Sequence, residues 1–452
     1  MTVAVLGGGV TGLTAAWRLS SAGHKVRLLE ASARLGGVVR SESTDGWLVE
    51  SGPVSFQEST SEIAGVISEL GLGPERVVSS PAAVNRYIVR KGTLVAVPAP
   101  TSLAAFLSTP LLSMRSKIVV GAEATRKPVN RTEDVSVADI VRDHFGREVL
   151  EMLVQPLIGG IFAGDAEKLS VRHAFPKIWE AERTVGSFVR AAAEGASKRK
   201  NLGISGPPPI ISFKKGLQTL TEALAARLPV GSVSTDSPVT RLSQGKKSLW
   251  TVEWDGPSGG GKGDFDCVVA ALPADALARL EINGTSPLAG LSAIEYPPIA
   301  SMTLGFRRDK VRHPLDGFGA LIPLSENRTI LGVLFTSTLF PGRAPEGHVT
   351  LSIFAGGTLK PGNATLGQKA LEERVLADLR DLLGAEGKPV FTRHAVWPRS
   401  IPQYNLGYER HLAAMEACEK AHAGLFIGGN VRDGISLPDC IVSGTTLAKR
   451  VS

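Results

Sequence analysis

The chain has 452 residues, 43% of them hydrophobic and 21% charged, enough for two or three domains around a sizeable core. Cys267, Cys418 and Cys440 are too few and too scattered for a disulfide framework or a zinc site, and no run of eighteen apolar residues argues for a membrane-spanning helix. The net charge of +7 favours anionic partners, but the basic residues are dispersed and aromatics make up only 6% of the chain, which argues against nucleic acid.

Val3–Leu6 predicts a buried parallel strand. It runs directly into Gly7-Gly8-Gly9-Val10-Thr11-Gly12, a helical pattern from Thr14 to Ser20, and a second strand over Lys25–Glu30. Strand, glycine turn, helix and strand in this order make a dinucleotide-binding βαβ unit, with the glycines letting the backbone approach a pyrophosphate at the helix N-terminus. Glu30, eighteen residues past Gly12, is placed to accept a ribose hydroxyl. Because the first strand begins so early, no leader segment and a cytoplasmic location are expected.

Just past the acid come Arg34-Leu-Gly36-Gly37 and, a hairpin later, Glu50-Ser-Gly52-Pro53. A second glycine pair so near the ribose acid suggests backbone passing tightly over a long cofactor, with Arg34 available to a phosphate. This resembles the FAD-binding N-terminus of the flavin amine oxidase and protoporphyrinogen oxidase superfamily. The alternative is a plain hairpin at Gly36-Gly37.

Thr60–Leu70 reads as a helix, and Arg86–Arg90, a Lys91-Gly92 turn and Thr93–Val97 as a hairpin closed by Pro98. From Thr101 to Ala192 the apolar spacing turns helical, which suggests a helical insertion, and Leu103–Val120 is amphipathic enough either for a membrane surface or for packing on its neighbours. Lys198-Arg199-Lys200 reads as a solvated loop before the return of the chain through Asn201–Pro209. Next come a helix starting within Phe213–Leu220, a strand flanked by Val239 and Arg241 that pairs with Leu249–Trp254, a hairpin tip at Gly256–Gly263 and a buried strand over Phe265–Leu272. Strands dominate from Tyr296 to Phe354. At the far end Gly424–Ile427 predicts a strand, followed by Gly428-Gly429-Asn430, Gly434–Cys440 and a final helix over Ser443–Ala448. This second strand, small-residue turn and helix suits the flavin ring and its ribityl-phosphate side. Both ends of the chain therefore converge on one ligand, and the intervening domains are insertions.

Gln155–Ser170 with its Gly159-Gly160, Tyr296-Pro297-Pro298, His313–Pro323, Leu339–Pro345 and Ile401-Pro402-Gln403-Tyr404 together resemble the protoporphyrinogen oxidase family, which includes enzymes that oxidise coproporphyrinogen III. The resemblance runs from the first strand to the final helix. It implies an α/β fold: a Rossmann-like FAD-binding domain of the amine oxidase/p-hydroxybenzoate hydroxylase type, discontinuous over 1–80, 210–290 and 390–452. It also implies a strand-rich substrate domain over 81–98 and 291–389 and a helical domain over 99–209 that in some members faces a membrane. Carried over by motif, Arg86 matches the arginine facing a substrate propionate, Leu321, Leu334 and Phe354 the apolar positions that sandwich the tetrapyrrole, and Gly160 the backbone on the other side. FAD is expected at Gly7, Gly9, Val10, Thr11, Gly12, Glu30, Ala31, Arg34, Gly36, Gly37, Gly52, Pro53, Val54, Val239, Trp397, Gly429, Asn430, Gly434, Ile435 and Ser436.

The reaction so implied is hydride removal from a porphyrinogen methylene to FAD, with dioxygen as final acceptor. No protein acid or base is expected, because the cofactor carries the redox chemistry, and no metal, because the eight histidines show no metal spacing and no partner nucleophile. Tyr408 stands where many members carry histidine and receives no role. The apolar slot and the cation each have a competing reading, as core residues and as a surface ion pair. A peripheral membrane contact, a homodimer and hand-over of product to a ferrochelatase are left open. So are amine or carotenoid oxidation and a flavin protein without turnover, although the low aromatic content argues against the aromatic cage of an amine oxidase.

Overall fold

The structure, a computed structural model, describes residues 1–98, 102–201, 207–245, 249–256 and 259–452. At its centre lies a five-stranded parallel sheet ordered Val233–Ser234, Lys25–Leu29, Thr2–Leu6, Cys267–Ala270 and Leu425–Ile427. Thr2–Leu6 is flanked on both sides, with Val5 opposite Leu28 and Val269, and its apolar run is buried as a central parallel strand requires. The sheet thus collects strands from both ends and the middle of the chain. Helix Val10–Ser21 packs against the final helix, Leu437–Val451, on one face.

Two expected boundaries shift here. The strand predicted over Phe265–Leu272 is two elements: Gly261–Phe265 pairs antiparallel with Trp250–Trp254 at the edge of a mixed four-stranded sheet, and Cys267–Ala270 joins the parallel one. Between them Asp266 turns aside, its carboxylate accepting the Thr2 amide at 2.6 Å and the Thr2 hydroxyl at 3.0 Å. The expected hairpin tip lies partly outside the described residues, at 257–258, and Gly261 already belongs to a strand.

The second large sheet has seven strands, in the order Phe391–Trp397, Ile299–Arg307, His348–Gly356, Ile330–Leu334, Gly317–Leu321, Asn85–Arg90 and Thr93–Ala96. The hairpin predicted over 86–97 is therefore its edge, with strands at 85–90 and 93–96. Helix Gln368–Leu383, which sequence patterning did not single out, buries Leu371, Val375, Leu379 and Leu383 against one face together with Leu304, Leu351 and Ile353.

Between the hairpin and strand Ile210–Phe213 the described chain is helical, with Gln155–Phe162 lying against the seven-stranded sheet. Buried Glu123 organises this region: it accepts from His144 Nδ1 at 2.9 Å, from the Ser187 hydroxyl at 2.7 Å and from the amide of Phe188 at 2.7 Å. Those bonds start helix Phe188–Asn201, so Lys198-Arg199-Lys200 lies in the last turn of a helix rather than in a loop. Alanines at 191–193 favour that outcome, and Lys198 and Arg199 suit the negative end of the helix dipole.

One buried ion pair ties the parts together. Glu50 and Arg343 side chains are each 1% exposed, with Arg343 Nη1 3.1 Å from Glu50 Oε1. The carboxylate also accepts the Ser41 hydroxyl at 2.6 Å and the Leu217 amide at 2.9 Å, while Arg343 Nη2 donates to the Ser212 hydroxyl and the Phe213 carbonyl. Gly216, at φ +91°, permits this approach, because a Cβ there would sit 2.3 Å from Ser41 Oγ. Burial pushes the Glu50 carboxyl upward and the Arg343 guanidinium downward, and their mutual attraction opposes both shifts. Arg343→Met leaves a buried carboxylate without its cation, so denaturant melts are expected to show a loss of about 3–5 kcal/mol. Pairing it with Glu50→Leu is expected to restore a substantial part.

Candidate cofactor and substrate sites

The first helix begins at Val10, earlier than the sequence suggests, with Gly9 as its N-cap. No side chain caps it, and a Cβ at Gly9 would meet nothing within 4 Å. A helix N-terminus with unclaimed amides and open space before it is built to accept an anion. The glycines around it serve close approach: a Cβ on Gly12 would lie 1.9 Å from the Gly7 carbonyl oxygen, and Gly7, at φ +100°, presses on the Ala271 carbonyl. Glu30 Oε2 accepts the Gly8 amide at 2.6 Å, and Oε1 accepts the Ser32 amide and hydroxyl at 2.8 and 2.7 Å. Gly8, outside the predicted set, thus anchors the Glu30 carboxylate, and its only sequence signal is being the middle of three glycines. Exposed Ala31 follows Glu30, and Val239 lies two residues past Ser237, whose amide donates to the Glu30 carbonyl at 2.8 Å.

The loop after Glu30 folds over this turn, with a Cβ on Gly37 reaching 3.4 Å from the Gly9 Cα. Arg34 departs from expectation. Its guanidinium donates to the carbonyls of Leu35, Gly37 and Val39, so it braces the left-handed Gly36 and Gly37 instead of standing free for a phosphate. Gly52 packs on the Val38 carbonyl, 2.1 Å from where its Cβ would be. Beside Gly52 and Pro53, Trp397 Nε1 donates to the Ser51 carbonyl at 2.8 Å, and Val54 is buried with Leu339 and Phe340.

The C-terminal turn meets the same place. Gly429, at φ +102°, comes within 3.6 Å of Thr11 Oγ1, measured from its would-be Cβ, and Gly444 of the final helix lies on Thr11, whose carbonyl is 2.5 Å from a Cβ built there. Asn430, Gly434 and half-buried Ile435 follow along this turn. Ser436 caps the final helix in a capping box, its hydroxyl 3.2 Å from the Asp439 amide and 2.6 Å from the Asp439 carboxylate. Its side chain is therefore occupied, and this helix end is neutralised by its own Asp439, unlike the open one at Gly9.

The five residues expected around a substrate share one place. Leu321 is opposite Gly332 and Gly332 opposite Phe354, so their side chains line one row on one face of the seven-stranded sheet. Leu334, two residues past Gly332, is on the same face and opposite Gly319. The two glycines add no side chain to this row of half-buried leucines and Phe354, the candidate substrate trough, and Leu321 leans over Gly332, its Cδ2 3.4 Å from where a Cβ would be. Leu334 and Phe354 pack with Phe318 on the Val54–Leu339–Phe340 cluster, and Leu321 packs with Ile88 and Ile158 on the other side. Helix Gln155–Phe162 roofs this row, with a Cβ on Gly160 reaching 2.9 Å from Leu321 Cδ2 and Leu157 and Ile161 exposed beside it. Arg86 pairs with Gly319 at the exposed margin, its guanidinium 5.6 Å from the Phe318 ring centre. Among the described residues it makes no ion pair, which removes the competing reading of a surface salt bridge. On the opposite face Tyr87 donates to Asp316 Oδ1 at 2.6 Å, and burial with that carboxylate pushes its phenol up to about 12.

The model of the flavin containing amine oxidoreductases matches residues 10–452. The chain belongs to that family. A mitochondrial protoporphyrinogen oxidase of Nicotiana tabacum is 33% identical over 99% of this chain and 94% of its own length. A coproporphyrinogen III oxidase of Bacillus subtilis is 29% identical over 98% and 96%. A crystal structure from Exiguobacterium sp. 255-15, described as a protoporphyrinogen oxidase, shares the fold with a TM-score of 0.83 at 23% identity, covering 100% of this chain and 98% of that one. The family cofactor is a flavin, and the open Gly9 helix end, the Glu30 carboxylate and the long glycine-lined path to Gly429 fit FAD. Gly12→Ala drives a methyl into the Gly7 carbonyl, so the purified variant is expected to lack flavin absorbance and to melt several degrees lower, checked by visible spectrum and thermal scan.

Proposed function

We propose that the protein is an FAD-dependent oxidase of protoporphyrinogen IX in haem biosynthesis, with dioxygen as electron acceptor. One observation carries this reading: an apolar row of Leu321, Leu334 and Phe354 under Gly160, with Arg86, which makes no ion pair among the described residues, at its rim. A porphyrinogen is a broad apolar macrocycle with carboxylates at one edge, and an apolar row with a cation at its margin suits that chemistry. The nucleotide turn, Glu30 and the Gly429–Ser436 segment would hold FAD, which supplies the hydride acceptor when bound. The proposed division assigns 1–80, 210–290 and 390–452 to FAD, 81–98 and 291–389 to substrate, and 99–209 to the helical part.

The residues around the trough bind, orient and exclude water. Arg86 would fix a propionate and so set which methylene faces the flavin, while Gly160 keeps the roof free of a side chain directly over Leu321. Aromatisation requires three successive two-electron oxidations, so the slot must retain each intermediate or admit it again. Coproporphyrinogen III is the second reading, supported by the full-length likeness to the B. subtilis enzyme and by the extra carboxylates that Arg86 would equally accept. Arg86→Ala is expected to raise KM about ten- to a hundredfold with kcat far less affected, followed by porphyrin fluorescence in air with both porphyrinogens. An unchanged KM for both would remove Arg86 from the site.

No helix among the described residues is long and apolar enough to cross a membrane. Leu103, Leu107, Met114 and Ile118 are 48–71% exposed, while Leu111 and Leu112 are buried beneath them and Lys117 Nζ donates to the Leu107 and Thr109 carbonyls at 2.7 Å. The reading of this stretch as packed on its neighbours thus holds only for its inner residues. A cytoplasmic protein resting this apolar ridge on a membrane surface is the proposed arrangement. Sedimentation with anionic vesicles is expected for the wild type and is expected to fall severalfold in Leu103→Glu/Ile118→Glu.

A further inference from the structure

The segment Ile401-Pro402-Gln403-Tyr404 was singled out by sequence, yet none of its residues belongs to the proposed flavin or substrate set. It forms a strap between the two sites. On one side Gln403 Nε2 donates to the Phe162 carbonyl at 2.7 Å, the Ser170 amide donates to the Tyr404 carbonyl at 2.8 Å, and the Leu406 amide donates to the Lys168 carbonyl at 2.8 Å. Phe162 ends the helix that carries Gly160, so the strap holds the roof of the trough. On the other side the Tyr404 hydroxyl donates to the Asn430 carbonyl at 2.6 Å and accepts the Gly434 amide at 3.0 Å. A single oxygen thereby closes both ends of the turn from Asn430 to Gly434.

Tyr408 adds a third tie, donating to the Val431 carbonyl at 2.7 Å, and its ring centre lies 4.4 Å from that of Tyr404. Both residues are less than 5% exposed. Burial pushes both phenols well above their ordinary range, so both hydroxyls keep their protons and remain donors. Gly434 sits at φ +111°, in a turn that is not held by regular secondary structure. Without the hydroxyl, the Asn430 carbonyl and the Gly434 amide would lose their shared partner, leaving the turn to Tyr408 on Val431 and to the amides of Arg432 and Asp433, which donate to the Gly429 carbonyl at 2.9 Å.

We propose that Tyr404 is a positioning residue that sets the flavin-facing turn at 430–434 in register with the Gly160 roof of the substrate trough, through the Gln403 strap. The inference rests on the porphyrinogen-oxidase reading for its substrate side and on the flavin family for its cofactor side. It assigns no proton transfer to Tyr404. The residue acts through the backbone it holds, and the strap makes the height of the roof and the seat of the flavin turn one dimension.

The test is Tyr404→Phe, compared with the wild type as FAD-loaded protein. Expected are a changed visible spectrum of the bound flavin, an FAD Kd weakened about tenfold on titration of the apoprotein, and anaerobic flavin reduction by protoporphyrinogen IX slowed about tenfold with KM within about twofold. A bound-flavin spectrum, Kd and reduction rate equal to wild type overturn the proposal. So does a fall in Tm with those three unchanged, since that is what a merely structural tyrosine would give. Gln403→Met, which frees the roof and leaves the hydroxyl in place, is expected to raise KM with the spectrum preserved, and an unchanged KM removes the coupling. If Tyr404→Phe does not fold, Tyr408→Phe carries the same spectral and Kd measurements, with smaller changes of the same kind expected and none overturning it. Failure of the wild type itself to be reduced by either porphyrinogen would strike the substrate reading alone, because spectrum and Kd test the tyrosine without substrate.

Discussion

Backbone must touch backbone where the two ends of this chain meet, and most of the architecture follows from that demand. Helix Leu437–Val451 can lie on helix Val10–Ser21 only because Gly444 has no side chain to strike the Thr11 carbonyl, and the turn before the first helix closes only because Gly12 has none to strike Gly7. Such contacts exclude any intervening layer, so the terminal elements form a single nucleotide platform. Every other part of the chain must leave that platform and return to it. The parallel sheet records those returns, with strands from near residues 2, 25, 233, 267 and 425 side by side.

Insertions attached in this way have to be held at a fixed angle, and polar chemistry does so at two buried places. Glu50 and Arg343 join the FAD side to the strand-rich side through charge, with Ser41, Ser212 and the Leu217 amide satisfying what the pair leaves over. The strap at 401–408 joins the helical roof to the C-terminal turn through neutral hydrogen bonds. The first is costly to break because an uncompensated charge would remain inside. The second is directional and short-ranged, which suits the setting of a distance more than the supply of stability.

Local chemistry was legible in the sequence where glycine or alternation forces the outcome. The run Gly7–Gly12, the Glu30 acid, the hairpin 85–96 and the strand Leu425–Ile427 are written in short windows, and the structure has each of them. The row Leu321, Leu334, Phe354 was reached by resemblance; periodicity alone could not separate it from core, because register across three strands decides which face each residue takes. Arg34 shows the opposite failure. A cation beside a glycine pair reads as a phosphate ligand, but only three dimensions reveal that three carbonyls of its own loop claim it first. Lys198–Lys200 was misjudged for a similar reason, since the cap that extends its helix comes from Glu123, more than sixty residues away. Tyr404 stood out only as part of a family motif and Tyr408 only as a departure from one, and their partners lie on a separate turn.

The placement of Leu425–Ile427 at the edge of the parallel sheet has a consequence in time. During synthesis the first βαβ unit emerges well before its neighbouring strand Cys267–Ala270, and Leu425–Ile427 and the helix after it come later still. The N-terminal unit must therefore wait with an unpaired strand edge and an uncovered helix face, exposed to misassociation until they arrive. Contacts of such sequence separation fold slowly because loop closure precedes any return in burial. A dinucleotide that bridges both ends would select the completed form, so flavin supply during expression, more than stability of the finished protein, should govern how much folded material a cell accumulates.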